Sequence, residues 1–252
     1  MCGRRSIREE WEPPVNLGPT VNSGSKDGSP HLSADGLTLL FYSNRPGGQG
    51  GDDLWMSTRR KPDEPWSPPV NLGPTVNSAQ DDGCPRLSAD GLTLIFNSDR
   101  PGGAGGADLY VSSLRSASEP WGTPANLGPA VNSKWNDGYP CLSADRLTLL
   151  FGSNRARGQG RFELWMSTRR STTESFGEPV NLGAEVNSGQ FNGGPAVLSD
   201  SRTLYFQSDR PGGQGGADIW QVPLLPPEPA GEWTTLPNGW RVGKPENLGP
   251  TV

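Results

Sequence analysis

Histidine and cysteine, which carry much of the nucleophilic and metal chemistry of proteins, are scarce in this chain. Its 252 residues include one histidine, His31, and three cysteines, Cys2, Cys84 and Cys141. The cysteines follow no metal-ligand spacing, and their odd number does not indicate a disulfide framework. A lone histidine without a repeated partner does not indicate a Ser-His-Asp or Cys-His arrangement. We therefore predict a protein that is not an enzyme and that needs no cofactor.

Long stretches of one charge sign and long apolar stretches are also missing. The formal net charge is −5, with acidic and basic residues interspersed. This balance disfavours a nucleic-acid groove. No stretch approaches the 18 apolar residues that would indicate a membrane span. Residues 1–11 lack the apolar centre of a signal peptide, so we expect none in this chain.

Glycine and proline, by contrast, are abundant and regularly placed. The chain has 35 Gly and 26 Pro, and they recur at the same place in each unit, which is typical of turns. The phrase NLGPTVNS and its variants begin at Asn16, Asn71, Asn126 and Asn181, each 55 residues after the one before. A truncated copy, NLGPTV, begins at Asn247. A fixed period of this size indicates an array of supersecondary units.

Each unit contains four runs that resemble strands. In the first unit, residues 30–34 lead through Asp35-Gly36 into residues 37–43, and Asp-Gly between two such runs is a strong hairpin signal. The second run is apolar on both sides of the pleat, which indicates a sheet packed between two others.

The remaining two runs of the unit complete a four-stranded sheet. A glycine-rich connection over 44–53 leads to a third run at 54–58. A fourth run at 69–72 begins with proline, which is typical of an edge strand and places this run outermost. Sheets of this kind, repeated radially and packed on one another, form a β-propeller.

We therefore predict an all-β fold, a β-propeller of four-stranded antiparallel blades, with four blades. The alternative is five blades, or a fragment of a longer propeller. The chain is expected to form one domain over residues 1–252, with repeats at about 16–70, 71–125, 126–180 and 181–252. One outer-strand phrase precedes the first unit and another follows the last. The two ends are therefore expected to supply the strands that close the ring.

Three motifs recur in fixed order in the units, and in the first unit they read SADGLTLLF, SNRPGGQGG and DLW. They resemble the TolB-like, WD40-like (PD40-type) propeller repeat found with OmpA-like domains in bacterial envelope proteins. The third unit departs most, with Arg146 for the turn glycine, Ala156 for the proline and altered residues at 161–163. The resemblance implies a non-catalytic interaction module, often periplasmic or attached to the envelope.

Two sets of loops are expected to meet on one face, which we call the top face. They are the connections between blades and the glycine-rich loops between second and third strands. One equivalent position there holds Asp27, Asp82, Asp137 and Asn192, and another holds Arg45, Arg100, Arg155 and Arg210. Our main interpretation is that each arginine pairs with a carboxylate. The alternative is that the first set is a ring of oxygens holding a hard cation such as Ca²⁺.

Positions at which the units disagree indicate a specific site, because a symmetric scaffold needs no variation there. Such positions are expected on the top face, near the mouth of the central channel. They hold the aromatic residues Trp135, Tyr139 and Phe191 and the polar residues His31 and Arg86. Rigid aromatic surface with a few polar neighbours suits a peptide or a sugar ring. The alternative is that these side chains fill unequal gaps in an imperfect ring.

We expect this module to bind a protein or peptide partner through its top face. A lectin-like propeller, with a sugar stacked on Trp135 or Tyr139, is the alternative. A glycoside hydrolase is a third hypothesis, because a ring rich in aspartate offers carboxylate pairs that could be catalytic. The sequence does not indicate which pair that would be. The protein is expected to be a monomer, or an oligomer formed through its spare outer-strand phrase. A periplasmic or envelope location is expected from the resemblance.

Overall fold

The structure is a computed structural model that describes residues 13–116, 118–155, 162–197, 202–225, 234–237, 240–243 and 245–248. Every regular element within these ranges is a β-strand. The strands form four antiparallel sheets arranged as a four-bladed β-propeller. The predicted all-β fold and the number of blades are therefore confirmed.

The blades follow one another along the chain, and the first strand of each is innermost. Blade 1 contains β1 (Asp27–Leu32), β2 (Thr38–Ser43), β3 (Asp53–Thr58) and β4 (Val70–Asn71). Blade 2 contains β5 (Asp82–Leu87), β6 (Thr93–Ser98), β7 (Asp108–Ser113) and β8 (Ala125–Asn126). Blade 3 contains β9 (Asp137–Leu142), β10 (Thr148–Ser153), β11 (Glu163–Thr168) and β12 (Val180–Asn181).

Blade 4 has an additional hairpin. Its first three strands are β13 (Asn192–Val197), β14 (Thr203–Ser208) and β15 (Asp218–Leu225). The end of β15 pairs with a short hairpin of β16 (Thr234–Thr235) and β17 (Arg241–Val242). The outer strand is β18 (Glu246–Asn247), which also pairs with β15.

The Ser-Ala-Asp-Gly phrase makes the tight turn between the first two strands. In blade 1, Asp35 Oδ1 accepts hydrogen bonds from the Leu37 N–H (2.9 Å) and the Ser33 hydroxyl (2.5 Å). Gly36 has φ +72°, a conformation that costs glycine little. The hairpin predicted from Asp-Gly is therefore present.

Apolar layers between adjacent blades form the core. Leu40 and Leu54 of blade 1 pack with Val76, Leu94 and Phe96 of blade 2, and all five side chains are 0% exposed. Burying each of them fully is worth about 1.5–3 kcal/mol by transfer free energy. The layers between the later blades are built from the equivalent residues, which include Leu109, Val131, Leu149 and Phe151, and then Leu164, Val186, Leu204 and Phe206.

The described strands of blades 1 and 4 are not in contact. Innermost strands contact in the order β1 with β5, β5 with β9, and β9 with β13. Among the strands that the structure describes, none of blade 4 has a Cα atom within 8 Å of a strand of blade 1. The prediction that both ends supply strands that close the ring concerns residues that lie partly outside the described ranges.

The two terminal phrases differ in what they form. The C-terminal phrase supplies β18, which pairs Asn247 with Trp220 in the register that joins Asn71 to Trp55 in blade 1. The N-terminal phrase has the turn over residues 19–21 that the other units also have at 74–76, 129–131 and 184–186, but residues 15–16, which correspond to β4, are not in a strand.

In the described ranges, no helix is long and apolar enough to cross a membrane.

Candidate functional site

The repeated arginines of the top face are bound within their own blades. Arg100 Nη2 lies 2.6 Å from Asp82 Oδ1, and the carboxylate is 0% exposed. The same nitrogen donates to the carbonyl of Val76 at 2.7 Å, and Arg100 Nε donates to the Ser98 hydroxyl at 2.9 Å. Equivalent pairs join Arg45 to Asp27 at 2.5 Å and Arg155 to Asp137 at 2.6 Å.

Each of these arginines also lies over two aromatic rings. The guanidinium carbon of Arg100 is 5.3 Å from the centre of the Phe96 ring and 4.8 Å from that of Tyr110. Such contacts stabilise a cation that is withdrawn from water. One structural unit therefore anchors the loops. It consists of the serine and arginine, the repeated phenylalanine of the second strand and the aromatic residue of the third strand.

Blade 4 departs from this pattern, because Asn192 stands where the other blades have aspartate. Arg210 donates to the carbonyls of Val186 and of Glu185, the latter at 3.0 Å, and lies 3.4 Å from Asn192 Oδ1. Burial lowers the pKa of Arg210 to about 10, with Glu185 acting in the opposite direction. This buried cation is stabilised by carbonyl oxygens instead of a carboxylate.

The residues that we considered for a cation are already engaged as acceptors. Asp82 Oδ2 accepts from the Ser78 N–H at 2.6 Å, while Oδ1 accepts from Arg100. Asp27 has the same partners in blade 1. Burial acts to raise the pKa of its carboxyl, but the hydrogen bonds from Ser23 and Arg45 outweigh burial, so this pKa lies below its usual value. Within the described ranges no group of three or more His, Cys, Asp or Glu side chains could hold a metal ion.

The glycine-rich loops also enclose a carboxylate. Asp53 Oδ2 accepts from the Gln49 N–H at 2.7 Å, and a Cβ on Gly48 would fall 1.7 Å from that oxygen. Burial raises the pKa of Asp53. The Gly-Gly sequence is therefore required for the loop to close over this side chain, and the loop serves a structural purpose.

Three aromatic rings meet on the top face where blades 3 and 4 adjoin. The Tyr139 ring is edge-on to Phe162 and to Phe191, at centroid distances of 5.8 and 6.3 Å. Phe162 and Phe191 are stacked at 5.8 Å. All three are partly exposed. We call these residues the aromatic cluster.

Two glycines and a backbone bulge create the space for the aromatic cluster. A Cβ on Gly152 would lie 2.3 Å from the Phe162 ring, and one on Gly193 would lie 2.7 Å from the Phe191 ring. Tyr139 sits in a bulge of β9 with φ +52°, an unusual conformation for a non-glycine residue. Ser29, Cys84 and Gly194 have the same conformation at equivalent positions, so the bulge is a property of every innermost strand.

Polar side chains lie in blade 1 on the same face. Lys26 Nζ forms an ion pair with Asp52 at 2.7 Å and lies 4.6 Å from the centre of the Tyr42 ring. The hydrogen bond to Asp52 raises the pKa of Lys26. Burial raises the pKa of Tyr139. Nearby Cys84 and Tyr42 raise this pKa as well, while the charge of Lys26 acts to lower it. The channel mouth thus has a polar side and an aromatic side.

Trp135 lies outside the aromatic cluster. Its side chain is 41% exposed, and Lys134 Nζ is 5.5 Å from its ring. It borders a cleft shared with Arg155, Trp165 and Glu178, which runs along the outer part of blade 3. Of the three aromatic residues singled out in the sequence, the structure brings together Tyr139 and Phe191.

His31 and Arg86 were predicted on the top face, but the structure places them at the other end of the channel. They border a cavity with the first-to-second strand turns, including Ala34 and Ala89, and with Cys141 and Ala196 from the last two blades. β1 begins at Asp27 and advances about 3.3 Å per residue, so its fifth residue is far from the top face. Burial, together with the charge of Arg86, lowers the pKa of His31 to about 4.

Phe162 is the site residue that the sequence did not single out. It takes the place of Asp52 and Ala107 in the first two units. The only signal was that residues 161–163 depart from the repeat. Phe162 also forms a parallel bridge with Phe191, and its carbonyl accepts from the Asn192 N–H at 2.8 Å. Phe162 thus both joins blades 3 and 4 and supplies an aromatic ring.

The fold and the top face define a β-propeller with a partly exposed aromatic cluster. A comparison with protein-family models finds no match, and a comparison with curated proteins finds none either. Solved structures do match. They include a putative TolB from Agrobacterium tumefaciens, with 21% identity, a TM-score of 0.51 and coverage of 80% of this chain and 59% of that one.

Two further structures are similar at the level of the fold. TolB from Acinetobacter baumannii has 13% identity and a TM-score of 0.53, covering 90% of this chain and 56% of its own. An α-L-arabinofuranosidase from Lactobacillus brevis has 13% identity and a TM-score of 0.57, covering 90% and 74%. The chain therefore has a TolB-like propeller fold and spans under two thirds of the length of these TolB chains. The glycosidase shares the architecture, which does not determine function.

Proposed function

We propose that this protein is a non-catalytic interaction module that binds a protein or peptide partner through its top face. The aromatic cluster is the observation that carries the proposal. Its rings lie at positions where the units differ, they remain partly exposed, and small residues leave room for them. An imperfect ring that only needed its gaps filled would bury these rings completely, as it buries Phe96 and Phe151 at 0% exposure.

The polar side of the channel mouth supports an extended peptide as the ligand. Lys26 and Asp52 provide a charged pair, and the aromatic cluster provides an apolar surface. Aromatic anchors next to polar groups are typical of the residues that dominate protein interfaces. A peptide could place an apolar side chain on the cluster while its backbone meets the polar side.

The setting that we propose is the periplasm or the bacterial cell envelope. This follows from the resemblance of the repeats to those of envelope proteins and from the TolB-like fold. A protein partner in that compartment would suit a propeller with no marked catalytic constellation. A Ca²⁺ ion on the top face remains a separate proposal, which isothermal titration of the metal-free protein with CaCl₂ would test.

The proposal can be tested by selecting peptides from a random phage-displayed library on the immobilised protein. The affinity of selected peptides would be measured by fluorescence anisotropy for the parent and for the variants Phe162→Ser and Phe191→Ser. Val70→Ser is a matched control, because Val70 is 62% exposed on the outer strand of blade 1. We expect each cluster variant to weaken binding about tenfold or more, a typical cost of losing an aromatic anchor, and the control to bind as the parent does.

Other outcomes would favour the alternative functions. Peptides that bind the cluster variants as tightly as the parent would contradict a top-face site. Binding on a glycan array that is lost in Trp135→Ala would favour a lectin. Turnover of a chromogenic arabinofuranoside or xyloside would favour a hydrolase.

A further inference from the structure

A groove opens between blades 1 and 2 on the face opposite the top face, where the turns between first and second strands lie. Its volume is about 510 Å³. Its apolar floor is formed by Leu40, Met56, Leu72, Leu87 and Trp121, among others. All of these side chains except Leu40 are partly exposed. We call this space the bottom groove.

The equivalent space between blades 3 and 4 is almost filled. Asp145 and Met166 line it as Asp35 and Met56 line the bottom groove, but its volume is only about 30 Å³. Trp240, which lies next to the additional hairpin of blade 4, is also part of its lining. Met166 is 0% exposed there, whereas Met56 is partly exposed. The packing of one blade on the next therefore does not by itself require an open groove.

The charged side chains that line the bottom groove are all acidic. They are Asp35, Asp90 and Glu119, and no lysine or arginine is among the lining residues. Hydrogen bonds from the Ser33 hydroxyl and the Leu37 N–H to Asp35 Oδ1 lower the pKa of this carboxyl, so Asp35 is ionised at neutral pH. Among the described residues, none donates a hydrogen bond to its other oxygen, Oδ2.

The next interface, between blades 2 and 3, shows what this arrangement of groups can bind. Asp90 takes the place of Asp35 there, and its Oδ1 accepts the same two kinds of hydrogen bond. Its Oδ2 lies 2.9 Å from Nη1 of Arg146, which reaches across from blade 3. The same nitrogen donates to the Thr93 hydroxyl at 3.3 Å. The carboxylate and the hydroxyl thus form a binding site for a guanidinium group.

The bottom groove contains the same carboxylate and hydroxyl without the arginine. Asp35 and Thr38 line it, at the positions that bind Arg146 in the next interface. Gly91 stands where blade 3 has Arg146, and the two residues have similar backbone conformations, with φ +70° and +61°. A Cβ atom at Gly91 would meet nothing within 4 Å. The space that the Arg146 side chain takes between blades 2 and 3 is therefore open in the bottom groove.

We propose that the bottom groove binds an arginine side chain of a peptide or protein partner, in a segment that has apolar residues beside the arginine. The guanidinium pairs with the Asp35 carboxylate and the Thr38 hydroxyl, as Arg146 pairs with its own partners. The apolar neighbours cover Met56 and Trp121. Arginine is favoured over lysine because its planar guanidinium presents several donors in a fixed geometry. This site lies opposite the aromatic cluster and does not rest on the proposed function.

The test uses a phage-displayed library in which a central arginine is fixed between two leucines, selected on the immobilised full chain. Fluorescence anisotropy would compare an enriched peptide with the same peptide carrying citrulline, which resembles arginine in shape but is uncharged. The citrulline exchange and Asp35→Asn should each weaken binding about tenfold or more. Asparagine keeps an acceptor for the Leu37 N–H, so the turn is retained. Asp145→Asn is the matched control, because its interface is almost filled, and should bind as the parent does.

Gly91→Arg supplies the guanidinium from the chain itself and should abolish peptide binding. Gly91→Ala shares the backbone constraint and should bind as the parent does. A library that enriches no peptide, equal binding of the citrulline peptide, or unchanged affinity in Asp35→Asn or Gly91→Arg would overturn the proposal. Peptides that are weakened by Phe191→Ser and not by Asp35→Asn would bind the top face instead. The two proposals can therefore fail separately.

Discussion

Gly152 lies directly beneath the ring of Phe162, and a Cβ atom at Gly152 would fall 2.3 Å from the ring carbon Cε1. Since β10 pairs Gly152 with Leu164 of β11, the glycine is fixed in the sheet. The partly exposed ring is then the group that has to move. The geometry of the aromatic cluster therefore depends on a residue that contributes no side chain.

Gly152→Ala should displace Phe162 and weaken peptide binding, while stability falls by no more than about 1 kcal/mol because the ring can turn toward solvent. Near-UV circular dichroism would report the loss of the contact between Phe162 and Tyr139. The control is Gly24→Ala, on the same face, where a Cβ meets nothing within 4 Å. An unchanged near-UV spectrum in Gly152→Ala would show that this placement of the ring is incorrect.

Arg100→Gln should lower the free energy of unfolding by about 3–5 kcal/mol, because it leaves the carboxylate of Asp82 buried and unpaired. Chemical denaturation would measure the loss. Arg45→Gln is the matched variant, and it should cost less because the Asp27 side chain is 18% exposed, against 0% for Asp82. Equal losses in the two variants would argue against burial of the carboxylate as the cause.

Phe96→Ala should destabilise the protein by about 3–5 kcal/mol, because it opens a cavity in the layer between blades 1 and 2. Phe96 is 0% exposed and stacks on Tyr110 at 6.2 Å. Leu32→Ala, which alters a residue that is 40% exposed, should cost far less. Urea unfolding of both variants would check this, and similar midpoints for Phe96→Ala and the parent would contradict the core assignment.

His31 should make stability depend on pH. Its pKa is lowered from the usual 6.5 to about 4 by burial and by Arg86, so the folded state resists protonation. The contribution of His31 is fully present above about pH 6.5 and is lost as pH falls toward 4. The Tm of His31→Gln should therefore fall less than that of the parent between pH 7.5 and pH 4.5.

The carboxylates titrate in both proteins, so the difference between the two curves isolates the histidine. Parallel curves over that range would mean that His31 titrates normally in the folded protein. A larger fall in His31→Gln than in the parent would reverse the sign of the predicted shift.

Part of the top face could be predicted from the repeats. Arg100 recurs with Asp82 at a fixed spacing, and a buried pair that anchors a loop is needed once in each blade. The positions of Tyr139 and Phe191 could be proposed because they break the repeat. Phe162 was missed because it follows a loop whose sequence differs over several residues, and nothing local distinguishes a partly exposed ring from a reshaped turn.

The sequence by itself determined the blade. The second strand of each unit is apolar on both faces, Asp-Gly turns follow the first strand, and the units repeat every 55 residues. Together these features allow little other than four-stranded sheets packed face to face. Local hydrogen bonds and burial determine these features, and both depend on the residue types within a single unit.

The tertiary structure decided how the blades end and what shares a mouth of the channel. Asn22 and Asn77 stand in nearly identical phrases, yet among the described residues Asn77 binds the backbone of the preceding blade and Asn22 binds Asn16. His31 and Tyr139 both line the channel, but the rise along the innermost strands places them at opposite mouths. These relationships depend on the packing of whole blades, because each involves residues from more than one unit.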